Sequence, residues 1–246
     1  MTVGSELEAQ GLKAIGYIVA LTLRTMGRYI EPGVTTRELD KVGARVLAAH
    51  GAQSAPQLMY DFPGVTCISV NEEAAHGLPG ERVIQPGDIV NIDVSAEKNG
   101  FFADSGFSFL VPPVTDELGQ LVSATKAALK AAMSVARAGN KINQIGKQIE
   151  AVAHAHGLVT LRDLTSHGIG RQLHEEPEFI PNYYDPNDIR QLHKGLVITI
   201  EPFLSTHSFK TTTASDGWTL LTEPFNRSAQ FEHTMIITEG EPVVVT

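Results

Sequence analysis

Two aspartates, Asp93 and Asp104, lie in a stretch that otherwise has the composition of buried β-structure. Apolar and polar residues alternate from Ile89 to Ser95, which places Asp93 on the polar face of a strand whose other face is apolar. The run from Lys98 to Gly100 predicts a turn that brings Asp104 back on a second strand. Two buried carboxylates this close share a proton or hold cations between them. We therefore interpret them as ligands of a metal pair.

Three further side chains could complete such a site. Glu201 and Glu232 are each predicted on a later strand, and His167 stands in the segment SHGIG, where glycines allow close packing. Four acids and one imidazole suit Mn, Fe, Co, Zn or Mg better than copper or an iron-sulfur cluster. Two such ions would offset the cost of burying four carboxylates. Ions about 3.5 to 4 Å apart, bridged by hydroxide, supply a nucleophile and a Lewis acid, so the set predicts hydrolysis.

The chain repeats itself, and the repeat explains how acids from distant positions could meet. Residues 139–157 align without a gap on residues 33–51, and both segments end in His-Gly. Further on, KGLVITIE aligns with PGDIVNID, which places Glu201 where the first half has Asp93. A unit of about a hundred residues is too long for a solenoid repeat, so two fused α+β copies are expected. Residues 1–246 are predicted to form a single catalytic domain, with internal halves roughly 1–112 and 113–246.

Helices and strands around these residues follow from capping boxes and apolar spacing. The predicted elements are a helix from Ser5 to about Arg28, a second from Thr35 to His50, a loop from Ala52 to Thr66, a strand beginning at Cys67, a helix beginning at Thr115, and closing strands at Gly217 to Thr222 and Gln230 to Thr238. In the last strand, Gln230, Glu232 and Thr234 are predicted on one face. His50 and His156, at helix ends, are predicted to interact with the helix dipoles and to have no chemical role.

Five motifs carry a resemblance to a known family. NEEAAHGLPG, GDIVNIDVSAEKNGFFADSGFSF, SHGIGRQLHEEP, ITIEPF and SAQFEHT are similar, in order, to motifs of the methionine aminopeptidases, and the short chain resembles the bacterial type I form. The resemblance implies the α+β pita-bread fold, in which two pseudo-symmetric halves form a curved antiparallel sheet covered by helices. It also implies removal of the initiator methionine from nascent proteins when the second residue is small.

The same resemblance implies roles for individual residues. Two divalent ions, Co, Mn, Fe, Zn or Ni, would be held by Asp93, Asp104, His167, Glu201 and Glu232, with Asp104 and Glu232 bridging both. His76 and His174 match the histidines that contact the scissile peptide and the developing oxyanion. Glu201 matches the proposed proton shuttle.

The implied substrate pocket departs from the family pattern. Besides His76 and His174, it would be lined by Met59, Phe62, Cys67, Leu173 and Trp218. The family usually has aromatic residues where Met59 and Leu173 stand, and a glycine where Gln172 stands. These departures predict a looser wall and weaker selection for methionine.

Composition limits the partners and the compartment. With 246 residues, 42% of them hydrophobic, the chain can bury a sizeable core, and its net charge of -9 argues against nucleic acid or an anionic membrane as a partner. Its single cysteine, Cys67, fits a reducing cytoplasm. The apolar run from Ala14 to Leu23 is too short to span a bilayer. We expect a cytoplasmic monomer that meets nascent polypeptide N-termini near the ribosome exit.

Two alternatives remain open from the sequence. The chain could be a pita-bread module that binds peptide without catalysis, although such a module has no need to hold four acids together. It could also be a dinuclear hydrolase of the same fold that prefers another N-terminal residue or an X-Pro bond.

Overall fold

The computed structural model describes residues 1–246 and contains five helices and fifteen strands. The helices are α1 (Glu6–Gly27), α2 (Thr36–Ala49), α3 (Ala55–Tyr60), α4 (Asp116–Val135) and α5 (Asn143–Ala155). The strands are β1 (Gln53–Ser54), β2 (Cys67–Val70), β3 (Glu73–Ala75), β4 (Ile89–Lys98), β5 (Phe101–Leu110), β6 (Val159–Thr160), β7 (Thr165–Gly168), β8 (Glu175–Pro181), β9 (Val197–Ile200), β10 (Phe203–Ser205), β11 (Thr212–Thr213), β12 (Leu220–Leu221), β13 (Ser228–Gln230), β14 (His233–Ile236) and β15 (Val243–Val244).

Each half of the chain packs a pair of helices against strands. In the first half, α1 and α2 share an apolar core of 18 buried residues with β2, β4 and β5. In the second half, α4 and α5 share a core of 24 buried residues with β9, β10, β13 and β14. All strand pairings are antiparallel. The α+β architecture predicted from the sequence is confirmed.

The repeat is visible in the helix ends. His50 caps α2 and His156 caps α5, and in each the ring nitrogen Nδ1 lies 2.9 Å from the carbonyl oxygen four residues earlier. Because a carbonyl only accepts, Nδ1 is the donor in both. The two histidines satisfy last-turn carbonyls that lack helical partners, which agrees with their predicted place at the helix ends.

The hairpin of β4 and β5 has the predicted turn. Asn99 and Gly100 have φ values of 55° and 77°, as a two-residue type I′ turn requires. This turn fixes the register so that Asp104 lies opposite Ser95 and Gly106 lies opposite Asp93. Since side chains on a strand alternate, both aspartates project from the same face.

Three predicted elements differ from the structure. The segment 52–66 is predicted as a loop but contains β1 and α3, because Ser54 caps a short helix there. The strand predicted over 217–222 is limited to β12. The last predicted strand is interrupted at Phe231 and Glu232, where the chain leaves β10 and pairs next with β9.

The positions of two acids differ in the same way. Glu201 lies one residue beyond β9, and Glu232 lies between β13 and β14, so neither is inside a strand as predicted. Gln230 nevertheless donates to the Glu232 carboxylate, and the Thr234 hydroxyl bonds with the backbone of Asp104.

None of the helices combines the length and the apolar composition that crossing a membrane requires.

Candidate metal centre and substrate cavity

Both halves of the fold contribute side chains to one buried group. Asp104 of β5, His167 of β7 and Glu232 each present a ligand atom, and these atoms all lie within 4.8 Å of one another. Glu201 joins them through its Oε1 atom, 3.4 Å from His167 Nε2. Asp93 lies close enough to Asp104 for the Asp104 charge to raise the pKa of Asp93, after burial itself. The five residues predicted as metal ligands are therefore brought together.

His167 is oriented for ligation. Its Nδ1 atom lies 2.9 Å from the Gly168 carbonyl oxygen and must donate to it, which leaves the lone pair of Nε2 facing Glu201. Burial lowers the pKa of His167 to about 3, so the imidazole is neutral at physiological pH. A neutral, oriented imidazole is the form that binds a metal ion.

The acids of the group are poorly accommodated as free anions. Burial, followed by the nearby Asp104 charge, raises the pKa of Asp93, Glu201 and Glu232 well above the usual range. Two of their buried oxygens, Asp93 Oδ1 and Glu232 Oε1, receive no hydrogen bond. Orphaned carboxylate oxygens beside a neutral imidazole fit divalent cations, which would remove both the repulsion and the missing contacts.

Each carboxylate also has a neutral donor that fixes its orientation. The Ser95 hydroxyl donates to Asp104 Oδ1 at 2.8 Å, and the Thr199 hydroxyl donates to Glu201 Oε1 at 2.9 Å. The Gln230 amide donates to Glu232 Oε2 at 3.1 Å. Hydroxyl and amide groups hold the acids without neutralising them, so the charge remains available for cations.

Two cavities meet at this group. The inner one has a volume of about 100 Å³ and the outer one about 180 Å³. The residues that line both are His76, Asp93, His167, His174 and Glu201. These shared residues define a passage between the cavities, and a molecule there would lie beside the acids and the two accessible histidines.

The two histidines with predicted catalytic roles both line this passage and come from different halves of the chain. His76 follows β3 and has a φ of 53°, a left-handed conformation that is uncommon for histidine and concentrates at functional sites. His174 precedes β8, with its ring centroid 4.1 Å from that of His167.

The inner cavity matches the predicted substrate pocket in most of its wall. Phe62, Cys67, Leu173 and Trp218 line it, and the Phe62 and Trp218 rings pack edge to face at 5.2 Å. Met59 does not line it, which corrects the sequence-based assignment.

The short helix α3, which also carries Met59, supplies two cavity residues that are not predicted from the sequence. Pro56 and Tyr60, four positions apart on one face of α3, line the cavity in place of Met59. Recognising Ser54 as a helix cap before Pro56 would have revealed this face.

Comparisons with known proteins agree with this site. The model of metallopeptidase family M24 matches residues 10–239. Methionine aminopeptidase 2 of Bacillus subtilis is 47% identical over 100% of this chain and 99% of its own length. The crystal structure of methionine aminopeptidase from Thermotoga maritima is 32% identical, with a TM-score of 0.96 over 100% of this chain and 99% of that one.

Proposed function

Because the chain belongs to metallopeptidase family M24 and has its pita-bread fold, we propose that it is an aminopeptidase that removes N-terminal methionine from proteins. The observation that carries the proposal is the buried group of acids and His167 beside a small cavity with a largely apolar wall. Such a group can drive hydrolysis, and the adjoining cavity can hold the first side chain of a peptide.

We propose two divalent ions as the cofactor. They would be held by Asp93, Asp104, His167, Glu201 and Glu232, with Asp104 and Glu232 available to both. The oxygen-rich donor set is compatible with Co, Mn, Fe, Zn or Ni. When bound, ions at such a centre polarise the substrate carbonyl and activate water.

The side chains around the centre have complementary tasks. His76 and His174 line the passage between the cavities, so their ring N–H groups can donate to the carbonyl oxygen as negative charge develops on it. Glu201 lines both cavities, so its carboxylate can take a proton from water and pass it to the leaving amine nitrogen.

Substrate selection follows from the two cavities. The methionine side chain would occupy the inner cavity, where Phe62, Leu173 and Trp218 supply apolar contacts. The second residue would lie at the passage beside both histidines, which favours a small side chain there. A charged first residue would be buried unpaired and should be refused.

Nascent polypeptide N-termini near the ribosome exit are the physiological substrates we propose. A monomer suffices, since all five ligands come from one chain. The unpaired, buried Cys67 is compatible with a reducing cytoplasm.

A peptide series tests the proposal. Metal-reconstituted protein is assayed on Met-Ala-, Met-Lys-, Ala-Ala- and Ala-Pro-peptides. We expect rapid cleavage of Met-Ala alone. Preferred cleavage of Ala-Pro would replace the proposal with an X-Pro specificity, and absence of any cleavage by fully metallated protein would favour a binding module.

A further inference from the structure

Tyr60 contacts one of the two histidines of the passage directly. Its hydroxyl oxygen lies 2.6 Å from His174 Nδ1, and the two rings are tilted with centroids 5.6 Å apart. This is the one hydrogen bond that the His174 side chain makes within the protein. The orientation of the imidazole therefore depends on Tyr60 and on the ring contact with His167.

Tyr60 itself is held by the short helix. Ser54 caps α3, and its hydroxyl also donates to the Val65 carbonyl oxygen at 2.7 Å, which ties the helix to the following loop. Asp61, with a φ of 57°, ends the helix immediately after Tyr60. The phenol is thus presented at the last position of a helix fixed at both ends, although 43% of the residue remains accessible.

The direction of the hydrogen bond follows from what surrounds each group. The other groups in the wall beside His174 include the carboxylates of Asp104 and Glu201, which accept hydrogen bonds when ionised. Nε2 can interact favourably with such acceptors, or with a carbonyl oxygen, only if it carries the proton. In a neutral imidazole Nδ1 is then unprotonated and accepts from the Tyr60 hydroxyl, which keeps its proton at physiological pH.

We propose that Tyr60 is a positioning residue that holds His174 in the tautomer with its proton on Nε2. This N–H then faces the reacting carbonyl oxygen without having to reorient when charge develops there. The inference rests on the proposed aminopeptidase function for its kinetic consequence, but the tautomer itself does not depend on that function. His167 is fixed in the opposite tautomer, with its proton on Nδ1, because the Gly168 carbonyl oxygen can only accept.

A double-mutant cycle tests the kinetic consequence. Tyr60→Phe keeps the ring in the cavity wall and removes only the hydroxyl. We expect kcat on a Met-Ala peptide to fall about 10-fold with KM nearly unchanged, because the His174 N–H that Tyr60 orients acts on the transition state. In a His174→Ala background, the same change should have no further effect on kcat. Tyr17→Phe, on the exposed face of α1, is the matched control and should leave kcat unaltered.

A spectroscopic measurement separates this inference from the proposed function. In zinc-loaded protein with 15N-labelled histidine, the His174 resonances, assigned by their loss in His174→Ala, should report the Nε2–H tautomer. Tyr60→Phe should mix the tautomers while its zinc content stays that of the wild type. An Nδ1–H tautomer in the wild type, or equal effects of Tyr60→Phe with and without His174, would overturn the inference. An inactive wild type with the expected tautomer would contradict only the aminopeptidase proposal.

Discussion

Side chains that do not touch a metal ion decide how the acids of this centre behave. Ser95 and Thr199 each donate to one carboxylate and Gln230 donates to two, yet Asp93 Oδ1 and Glu232 Oε1 remain free. The acids are therefore ordered before any ion arrives. Burying these mutually repelling carboxylates costs free energy, and binding a cation would recover it.

Neutralising one of the two acids proposed to be shared between the ions should lower the metal content. Asp104→Asn and Glu232→Gln remove one negative charge and one oxygen donor each, so we expect bound ions to fall below two per chain. Activity should fall more than about 100-fold. Metal analysis of the purified variants and kcat/KM on a Met-Ala peptide measure both effects. Glu117→Gln, at an exposed acid in the first turn of α4, is the matched control. Either variant retaining two ions and full activity would eliminate the dinuclear interpretation.

The wall of the inner cavity should set how strictly methionine is selected. A change of one methylene shifts discrimination by about 1 to 3 kcal/mol, so Leu173 in place of an aromatic residue should allow slow cleavage of leucine and norleucine peptides. Leu173→Phe should raise the Met to Leu ratio of kcat/KM about 10-fold. Leu58→Phe, on the exposed side of α3, is the matched control. Complete exclusion of leucine by the wild type, or an unchanged ratio in Leu173→Phe, would show that Leu173 does not shape selection.

At the scale of elements, the β4–β5 hairpin and the segment 228–236 depend on each other. Gly106 lies opposite Asp93, and the space left by its missing side chain is filled by the Gln230 carboxamide. That carboxamide bonds to Asn91 at 2.9 Å and to Glu232 at 3.1 Å. The hairpin therefore positions an acid of the other half of the chain.

A methyl group at Gly106 should disturb this contact. In Gly106→Ala the new Cβ would overlap the Gln230 carboxamide, so Gln230 must move away from Glu232. We expect about 1 to 3 kcal/mol of destabilisation and a 10- to 100-fold weaker affinity for zinc. Urea unfolding and a competitive zinc titration measure these effects. Gly119→Ala, inside α4 with open space around it, is the control and should stabilise the protein by about 0.5 to 1 kcal/mol. Unchanged zinc affinity in Gly106→Ala would mean that Gln230 does not position Glu232.

Long elements and the approach of Asp93 to Asp104 could be predicted from the sequence, since alternation and capping leave strong local signals. The hairpin of Asp93 and Asp104 is an example, because its turn residues fix the register. The helix carrying Tyr60 could not be predicted in the same way, since six residues are too short for an apolar period. The irregular position of Glu232 also has no local cause, because it results from a change of strand partner from β10 to β9.

At the scale of the whole molecule, the acids make the ion-free protein sensitive to alkaline pH. The pKa of Asp93, Glu201 and Glu232 is raised by burial, so the folded state binds their protons more tightly than the unfolded state does. Their contribution to stability is complete below the unfolded pKa and is lost as pH rises through the folded pKa. His167, with a pKa of about 3, is neutral above pH 7 in both states and does not oppose this trend.

Removing the ions should therefore destabilise the protein, and more so at higher pH. We expect the Tm of chelator-treated protein to fall between pH 7 and pH 9. With ions at about 1,000 times their dissociation constant, the loaded protein should unfold roughly 10 °C higher. Scanning calorimetry at both pH values measures the difference. Glu232→Gln lacks one carboxyl group with a raised pKa, so the fall in Tm of its ion-free form between pH 7 and pH 9 should be smaller. A Tm of the ion-free wild type that rises with pH would contradict the assignment of these acids.

The inner cavity is small, about 100 Å³, and this gives the proposed reaction a natural stopping point. Once methionine has left, the shortened chain presents a new first residue to the same apolar walls of Phe62, Leu173 and Trp218. A small residue fills them poorly and forfeits most of the burial energy that held the original end. Trimming is therefore self-terminating: the pocket that admits the substrate also releases the product, and no separate signal is needed to prevent a second cut.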